Sequence, residues 1–428
     1  MSNLIGVWKR LEMPEILAFY KTGNVGDIGY EELAKSMGVM TSDMIPEMRN
    51  PVYGPYVWRQ LNMEQNIFAI LPKLTWPRSG WRVQTAFSTD SKRIAIGESD
   101  NIPEAVFPAL KAVYANPKLA ALTFEVSEVL ASMSQTGDDV TDLEYIKLSL
   151  GQEFTKMVNR GLGRRVIGRK DDEILTHDEV IYTRQVNGQT YKVLERVELE
   201  ALDRIVSSFD EVDAFSTDKK KNVAVNIYNI KRANEDGSEG PDKWANATVK
   251  FSEDGQELTD ELIREALMDG RKKGAFPSVM ITGYSTYAKL IGLYTTLIRY
   301  MGDIGEKPVV AGFTNVKIGI GGVERAPGVD AGIEVASVYG IPIVTAVDTP
   351  SDGDGFLERV YILDTTDYEK TGVSRFGISV LRPVEYFETN RQDFALLEKF
   401  AIRGLYRMIG ETTARFLPGN VKLRDLLA

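Results

Sequence analysis

The chain has 428 residues and one histidine, His177, so any imidazole chemistry must pass through that position. It stands in Asp171-Asp-Glu-Ile-Leu-Thr-His-Asp-Glu-Val180, where flanking carboxylates could orient the ring or join it at a metal. A Ser-His-Asp triad would have to use it, as would a His-containing zinc site. The segment is polar and acidic throughout, and His177 reads as a solvated loop or hairpin residue. The absence of cysteine removes disulfides, thiolate nucleophiles and Cys-ligated metals. Sixty-one acidic residues guarantee carboxylate pairs by chance, so counting acids identifies no acid–base site.

Phosphate-binding patterns fail on spacing. Gly319-Ile-Gly321-Gly322-Val-Glu324 has Glu where the third glycine of a dinucleotide fingerprint belongs, and no helix-opening pattern follows it. Gly302-Asp-Ile-Gly305-Glu-Lys307 has the wrong interval for a nucleotide-binding loop. Ser351-Asp-Gly-Asp-Gly355 has the look of a calcium loop, but the required late Glu does not line up with its aspartates. It reads as a Gly/Asp turn. No catalytic, cofactor-binding or metal-ligating residue is therefore expected.

The scaffold must be judged on its elements. With 43% hydrophobic and 26% charged residues, the chain can bury a sizeable core, and its length allows two or three domains. No window approaches the roughly 18 apolar residues of a membrane span. The N-terminus lacks a signal-peptide layout. A net charge of −10 argues against tight binding of a phosphate backbone by the bulk surface.

The first 80 residues hold only short periodic pieces, Pro14 to Phe19 and Tyr30 to Met37, and a breaker cluster at Asn50-Pro-Val-Tyr-Gly-Pro55. They suit an arm packed on another surface, or else a small subdomain of short helices. Trp81 to Phe87 alternates as a strand, and Ala105 to Tyr114 returns as a second, predicting a long hairpin with a polar tip. An isolated two-stranded ribbon is marginal in water and needs a partner surface. Phe124 to Met133 suggests a short amphipathic helix. Thr141-Asp-Leu-Glu144 is a capping box opening a long helix with Leu143, Ile146, Leu150, Phe154, Met157 and Val158 on one face. Gly161 and Gly163 close it, and Lys147 and Lys156 point outward.

Residues 164–255 are less regular. Asn187-Gly188 predicts a tight hairpin between Tyr182 and Val193, Asp218-Lys-Lys-Lys221 a solvated turn, and residues 233–241 a loop. Thr259 caps a helix with Leu262, Ile263, Ala266 and Leu267 on its apolar face before Gly270. Pro277 to Thr282 reads as a buried strand. Ser285 opens a helix with Leu290, Ile291, Tyr294, Leu297 and Ile298 along one side. Further strands fall near 309–321, 333–346, Arg359 to Asp364 and Arg382 to Tyr386. Between Leu396 and Gly410 the pattern suits both a helix and an alternating strand, with Gly404 and Gly410 weakening the helix by about 1 kcal/mol each.

This ordered series over 81–163 and 259–410, with Glu98-Ser99 between the hairpin strands, resembles the major capsid proteins of tailed viruses. The resemblance implies an α+β phage major-capsid (Johnson) fold. It divides into an N-terminal arm (1–80), an extended hairpin loop (81–118) and a peripheral domain with a long spine helix and an insertion (119–258). An axial domain (259–380) and a return to the peripheral domain (381–428) follow, and favour the strand at the C-terminal conflict.

It further implies a non-enzymatic shell protein forming hexamers and pentamers around double-stranded DNA, without sequence-specific DNA contact or membrane. The partners implied are other copies of itself, a scaffolding protein, a portal and a maturation protease. The location implied is the virion, after assembly in the host cytoplasm. No charged helical extension precedes the arm, so a long fused scaffold domain is not expected. Lys92 and Asn390 are residue types that weld subunits in some relatives. The alternatives are an encapsulin-like compartment and a multidomain α/β enzyme using carboxylates.

Overall fold

The computed structural model describes residues 66–76, 80–87, 107–127, 142–168, 179–186, 189–196, 199–215, 225–234, 236, 238–300, 313–317, 334–367, 373–388 and 401–428. The N-terminal arm, the hairpin tip with Lys92 and Glu98-Ser99, Thr141, His177, the Asn187-Gly188 turn, the 218–221 run, both glycine motifs, Asn390, Leu396 and Leu397 lie outside them.

In chain order the elements begin with α1 (Asn66–Ile70), β1 (Lys73–Thr75), β2 (Gly80–Phe87), β3 (Pro108–Tyr114), β4 (Lys118–Ser127) and α2 (Asp142–Gly163). Next come β5 (Glu179–Val186), β6 (Gln189–Arg196), α3 (Leu202–Ile205), α4 (Phe209–Phe215), β7 (Thr248–Lys250) and β8 (Gln256–Glu257). Then follow α5 (Asp260–Lys272), β9 (Val279–Thr282), α6 (Tyr284–Tyr300), β10 (Phe313–Lys317), β11 (Glu334–Val338) and β12 (Ile341–Thr345). The last are β13 (Val360–Leu363), β14 (Phe376–Glu388), β15 (Ala401–Ala414), β16 (Val421–Leu423) and β17 (Leu426–Leu427). The chain divides into two units. One comprises Ala120–Met157 and Arg382–Met408 among the described residues, the other Glu64–Leu119, Val158–Leu381 and Ile409–Ala428.

The larger unit is built on a seven-stranded mixed sheet of order β10-β11-β12-β9-β13-β16-β7. Its central strands are covered on both faces: β9, β13 and β16 are buried at every position, and β9 and β13 are short, largely apolar runs. Met280, Ile343, Val360, Ile362, Val421 and Leu423 from the sheet share one core with Ile263, Ala266 and Leu267 of α5 and Leu290 of α6. As predicted, Thr259 caps α5, its hydroxyl accepting from the Leu262 amide at 3.2 Å. Helix α5 runs two residues past Gly270, which is buried where a Cβ would sit 2.9 Å from Val421. Ile291 departs from the expected apolar side of α6 and is 39% exposed. Its neighbour Leu290 is the fully buried residue of that turn, with Tyr287 and Leu293 packed against the core. The predicted hairpin over 182–193 is present as β5–β6, in register from Glu179 opposite Arg196 to Val186 opposite Gln189.

The smaller unit packs the first part of α2 against strands β4, β14 and β15. The predicted helix does not begin at Phe124: residues 118–127 form β4, in which Phe124 and Val126 alternate inward, and residues 128–133 lie outside the described residues. The period of two won because a neighbouring strand supplies an apolar wall. Phe124 stacks on Tyr386 (6.2 Å between centroids), Tyr386 on Tyr406 (4.9 Å), and Tyr406 faces Phe154 of α2 (6.3 Å). The Tyr406 hydroxyl donates to the Lys147 carbonyl at 2.7 Å. Ile146 and Phe154 are buried as expected, whereas Met157 is 40% exposed and lies off that face. Lys147 is half-covered, ion-paired to Glu388 and held over the Tyr386 ring. The ambiguous C-terminal segment is the strand β15. A Cβ at Gly404 would fall 2.2 Å from the Phe124 ring, so the residue that weakens a helix there is the one the strand requires.

Candidate functional site

Among the described residues no group of three His, Asp or Glu side chains is placed to hold a metal ion. The Ser351–Gly355 segment is a turn, with Gly353 and Gly355 at φ +135° and +84°. Asp352 within it is buried, and its oxygens accept from Arg359, Arg424 and the Asp425 amide.

Two other features stand out, and both belong to the larger unit. The first is the β2–β3 hairpin, which among the described residues pairs with no third strand. Its register sets Trp81 opposite Val113 and Val83 opposite Lys111 on one face, and Arg82 opposite Ala112 and Gln84 opposite Leu110 on the other. A register shift between Gln84 and Ala86 bends the outward strand.

The first face is anchored. Val113 is fully buried, Lys111 pairs with Asp242, and Trp81 meets the Tyr228 ring edge-on at 5.3 Å. Asn229 accepts from the Tyr114 amide (2.8 Å) and donates to the Ala112 carbonyl (2.9 Å), fastening the outer edge of β3 at its root. The second face is open: Leu110 and Tyr114 are each 58% exposed, with Phe107 (67%) and Leu119 (60%) beside them in sequence. Tyr114 lies over Gly80, where a Cβ would come within 2.8 Å of its ring. Exposed apolar surface on a well-anchored ribbon is what a protein–protein contact needs.

The second feature is a set of charged side chains fully withdrawn from water: Asp203, Arg359, Lys422 and Arg424 with Glu211, Asp352 and Asp425. Asp203 bonds Arg359 and, at 2.9 Å, Lys422, and its other oxygen accepts from the Val166 (2.8 Å) and Ile167 (2.7 Å) amides. Lys422 and Arg424 both reach Glu211 at 2.7 Å, and Arg424 also reaches Asp425 at 2.9 Å. Arg359 and Arg424 share Asp352. Burial alone would raise the Asp203 carboxyl, but Arg359 and Lys422 outweigh it and hold the group far below the usual range. Burial likewise opposes the charge of Asp352, and Arg359 and Arg424 outweigh it and hold that group down to about 2. Such a network fixes geometry more surely than it adds net stability, because desolvation offsets much of the Coulomb gain.

Sequence reasoning located the hairpin but missed this network. The one available signal was the alternation in Val421-Lys-Leu-Arg-Asp425, where Val421 and Leu423 enter the apolar core. Alternating charges normally mark a solvated face; here Lys422 and Arg424 point into a second, ionic interior.

No protein-family model matches the sequence. No curated protein sequence matches it either. Solved structures do match. The cyanophage A-1(L) capsid subunit aligns over 90% of this chain and 99% of its own length, with a TM-score of 0.52 at 12% identity. Weaker likenesses include the capsid of the native GTA particle (TM-score 0.46, 9% identity, covering 88% and 94%) and the Synechococcus elongatus SrpI encapsulin (0.43, 9%, covering 91% and 96%). At such identity the likeness speaks for the fold, and it covers nearly all of both chains in the first case. This chain thus carries the fold of tailed-phage major capsid proteins.

Proposed function

We propose that this chain is the major capsid protein of a tailed double-stranded DNA virus, acting as a structural protein and not as an enzyme. The observation that carries the proposal is the end-to-end alignment with a phage capsid subunit. The open face of β2–β3 supports it, since a fixed ribbon with Leu110 and Tyr114 uncovered suits a neighbouring copy. In this reading the copies form hexamers and pentamers of an icosahedral shell around DNA, assembled in the host cytoplasm. A scaffolding protein, a portal and a maturation protease act with it. The hairpin is the extended loop, residues 119–258 and 381–428 the peripheral domain, and 259–380 the axial domain.

The test is electron microscopy of the purified protein and of Leu110→Asp/Tyr114→Asp, each alone and co-expressed with its scaffold. Rings or closed shells are expected from the wild type. A folded subunit that no longer closes shells is expected from the double variant. A wild-type protein that stays monomeric under every assembly condition overturns the proposal. Normal shells from the variant overturn the role of the hairpin. Shells that package a protein cargo and exclude DNA assign the chain to a compartment instead.

A further inference from the structure

Two buried carboxylates meet at the root of the hairpin. Glu411 of β15 and Glu200, just ahead of α3, are 1% and 4% exposed. Both lie against one ammonium: Lys118 Nζ is 2.9 Å from Glu411 and 3.3 Å from Glu200. Lys118 is the first residue of β4, three positions beyond the buried Ala115 that follows β3. The Glu411 Oε1 atom accepts from the amides of Glu200 (2.8 Å) and Thr412 (2.9 Å).

Other charged or titratable groups among the described residues also face the pair. Arg204 of α3 lies 3.3 Å from the far oxygen of Glu200, and also donates to the Asn226 carbonyl. Tyr228 donates to the Thr412 carbonyl and accepts from the Ala414 amide. Arg232 lies beyond Tyr228, bonded to backbone carbonyls and Ser207.

Two carboxylates on one cation, away from water, cannot both ionise cheaply. We propose that Glu200 and Glu411 share one proton, and that its loss as pH rises favours opening of this site, so that anchorage of the hairpin root is pH-dependent. Burial first, and then the Glu200 charge, push the Glu411 carboxyl up to about 7 in spite of Lys118. A group raised in the folded state stabilises fully below its unfolded value, near the ordinary 4.5, and loses that contribution as pH climbs through about 7. The inference concerns the subunit alone and does not depend on shell formation.

The experiment is amide exchange on the unassembled full chain, read in peptides spanning residues 108–122 and corrected for the intrinsic rate. The opening equilibrium should be about tenfold larger at about pH 8 than at about pH 6, as one proton linked near neutrality requires. Glu411→Gln should flatten that dependence. So should Glu200→Gln, which leaves Glu411 alone beside Lys118. Difference infrared spectroscopy over the same interval should show one buried carboxyl losing its proton in the wild type and none in Glu411→Gln. The proposal is overturned if both variants keep the wild-type slope, or if no carboxyl titrates in that interval. Should Glu411→Gln fail to fold, Glu200→Gln and the wild-type infrared signal still decide.

Discussion

Removing the Asp203 carboxylate is the sharpest test of the ionic interior. Asp203→Ala takes a partner from Arg359 and Lys422 and strands the Val166 and Ile167 amides, all of them buried. Breaking a buried pair by deleting one side costs about 3–5 kcal/mol. Each buried donor left unsatisfied adds about 1–3 kcal/mol. Lys422 keeps Glu211 and Arg359 keeps Asp352, which places the pair cost at its lower end. The expected total is about 5 kcal/mol, a large share of the roughly 5–15 kcal/mol that stabilises a domain.

Asp203→Asn keeps the shape and an acceptor for the amides but loses the charge, so about half that loss is expected. Thermal and urea unfolding of the unassembled protein, followed by circular dichroism and tryptophan fluorescence together, would measure both. The pH dependence has a definite sign. Burial opposes the charge, yet Arg359 and Lys422 hold Asp203 well below its ordinary 3.8, so its contribution is present above that value and lost as pH falls. Wild type should therefore lose stability in acid more steeply than Asp203→Ala. An Asp203→Ala protein within about 1 kcal/mol of wild type would refute the reasoning, because the lost pairing and the two stranded amides would then cost almost nothing.

Phe154→Ala should cost about 3–5 kcal/mol, since the ring is fully buried against Tyr406, while Lys156→Ala should stay within about 0.5 kcal/mol in the same melts. Thr259→Ala should cost about 1 kcal/mol through loss of the α5 cap, with faster amide exchange confined to the first turn of that helix. Gly404→Ala should destabilise by about 1–3 kcal/mol by forcing the Phe124 ring aside, and Phe124→Leu on that background should recover part of the loss.

Much of the larger unit could be read from the sequence, because its helices and strands carry their own signals. Thr259 announces a helix start, and Val279–Thr282 is apolar at nearly every position because both its faces are covered. The β2–β3 and β5–β6 hairpins were legible from alternation and, in the second, from the two turn residues. What failed was decided by partners distant in sequence. Phe124 obeys the period of β15, which passes about 280 residues later, and no local window contains that wall. Met157 and Ile291 are apolar at helical spacing, yet each sits one step off the face its helix buries. Lys422 and Arg424 were illegible for the opposite reason: their alternation is local, but charge at alternate positions says nothing of where its counter-charge lies.

The position of β16 bears on when this chain can finish folding. Residues 421–423 form an inner strand of the seven-stranded sheet, seated between β13 and β7, and they are the last of its strands to be synthesised. Until they emerge, Ile362 and Thr248 have no neighbour between them, and Asp203 and Glu211 wait for the cations of 422 and 424. Synthesis runs from the N-terminus at about 5–20 residues per second, so the earlier segments must persist for many seconds with that gap unfilled. A chain cut short before residue 420 would keep an open slot in mid-sheet and uncompensated acids, and would remain a target for chaperones and proteases. Seating β16 therefore joins β13 to β7 and brings Lys422 and Arg424 to their acids in one step, late in the making of the sheet.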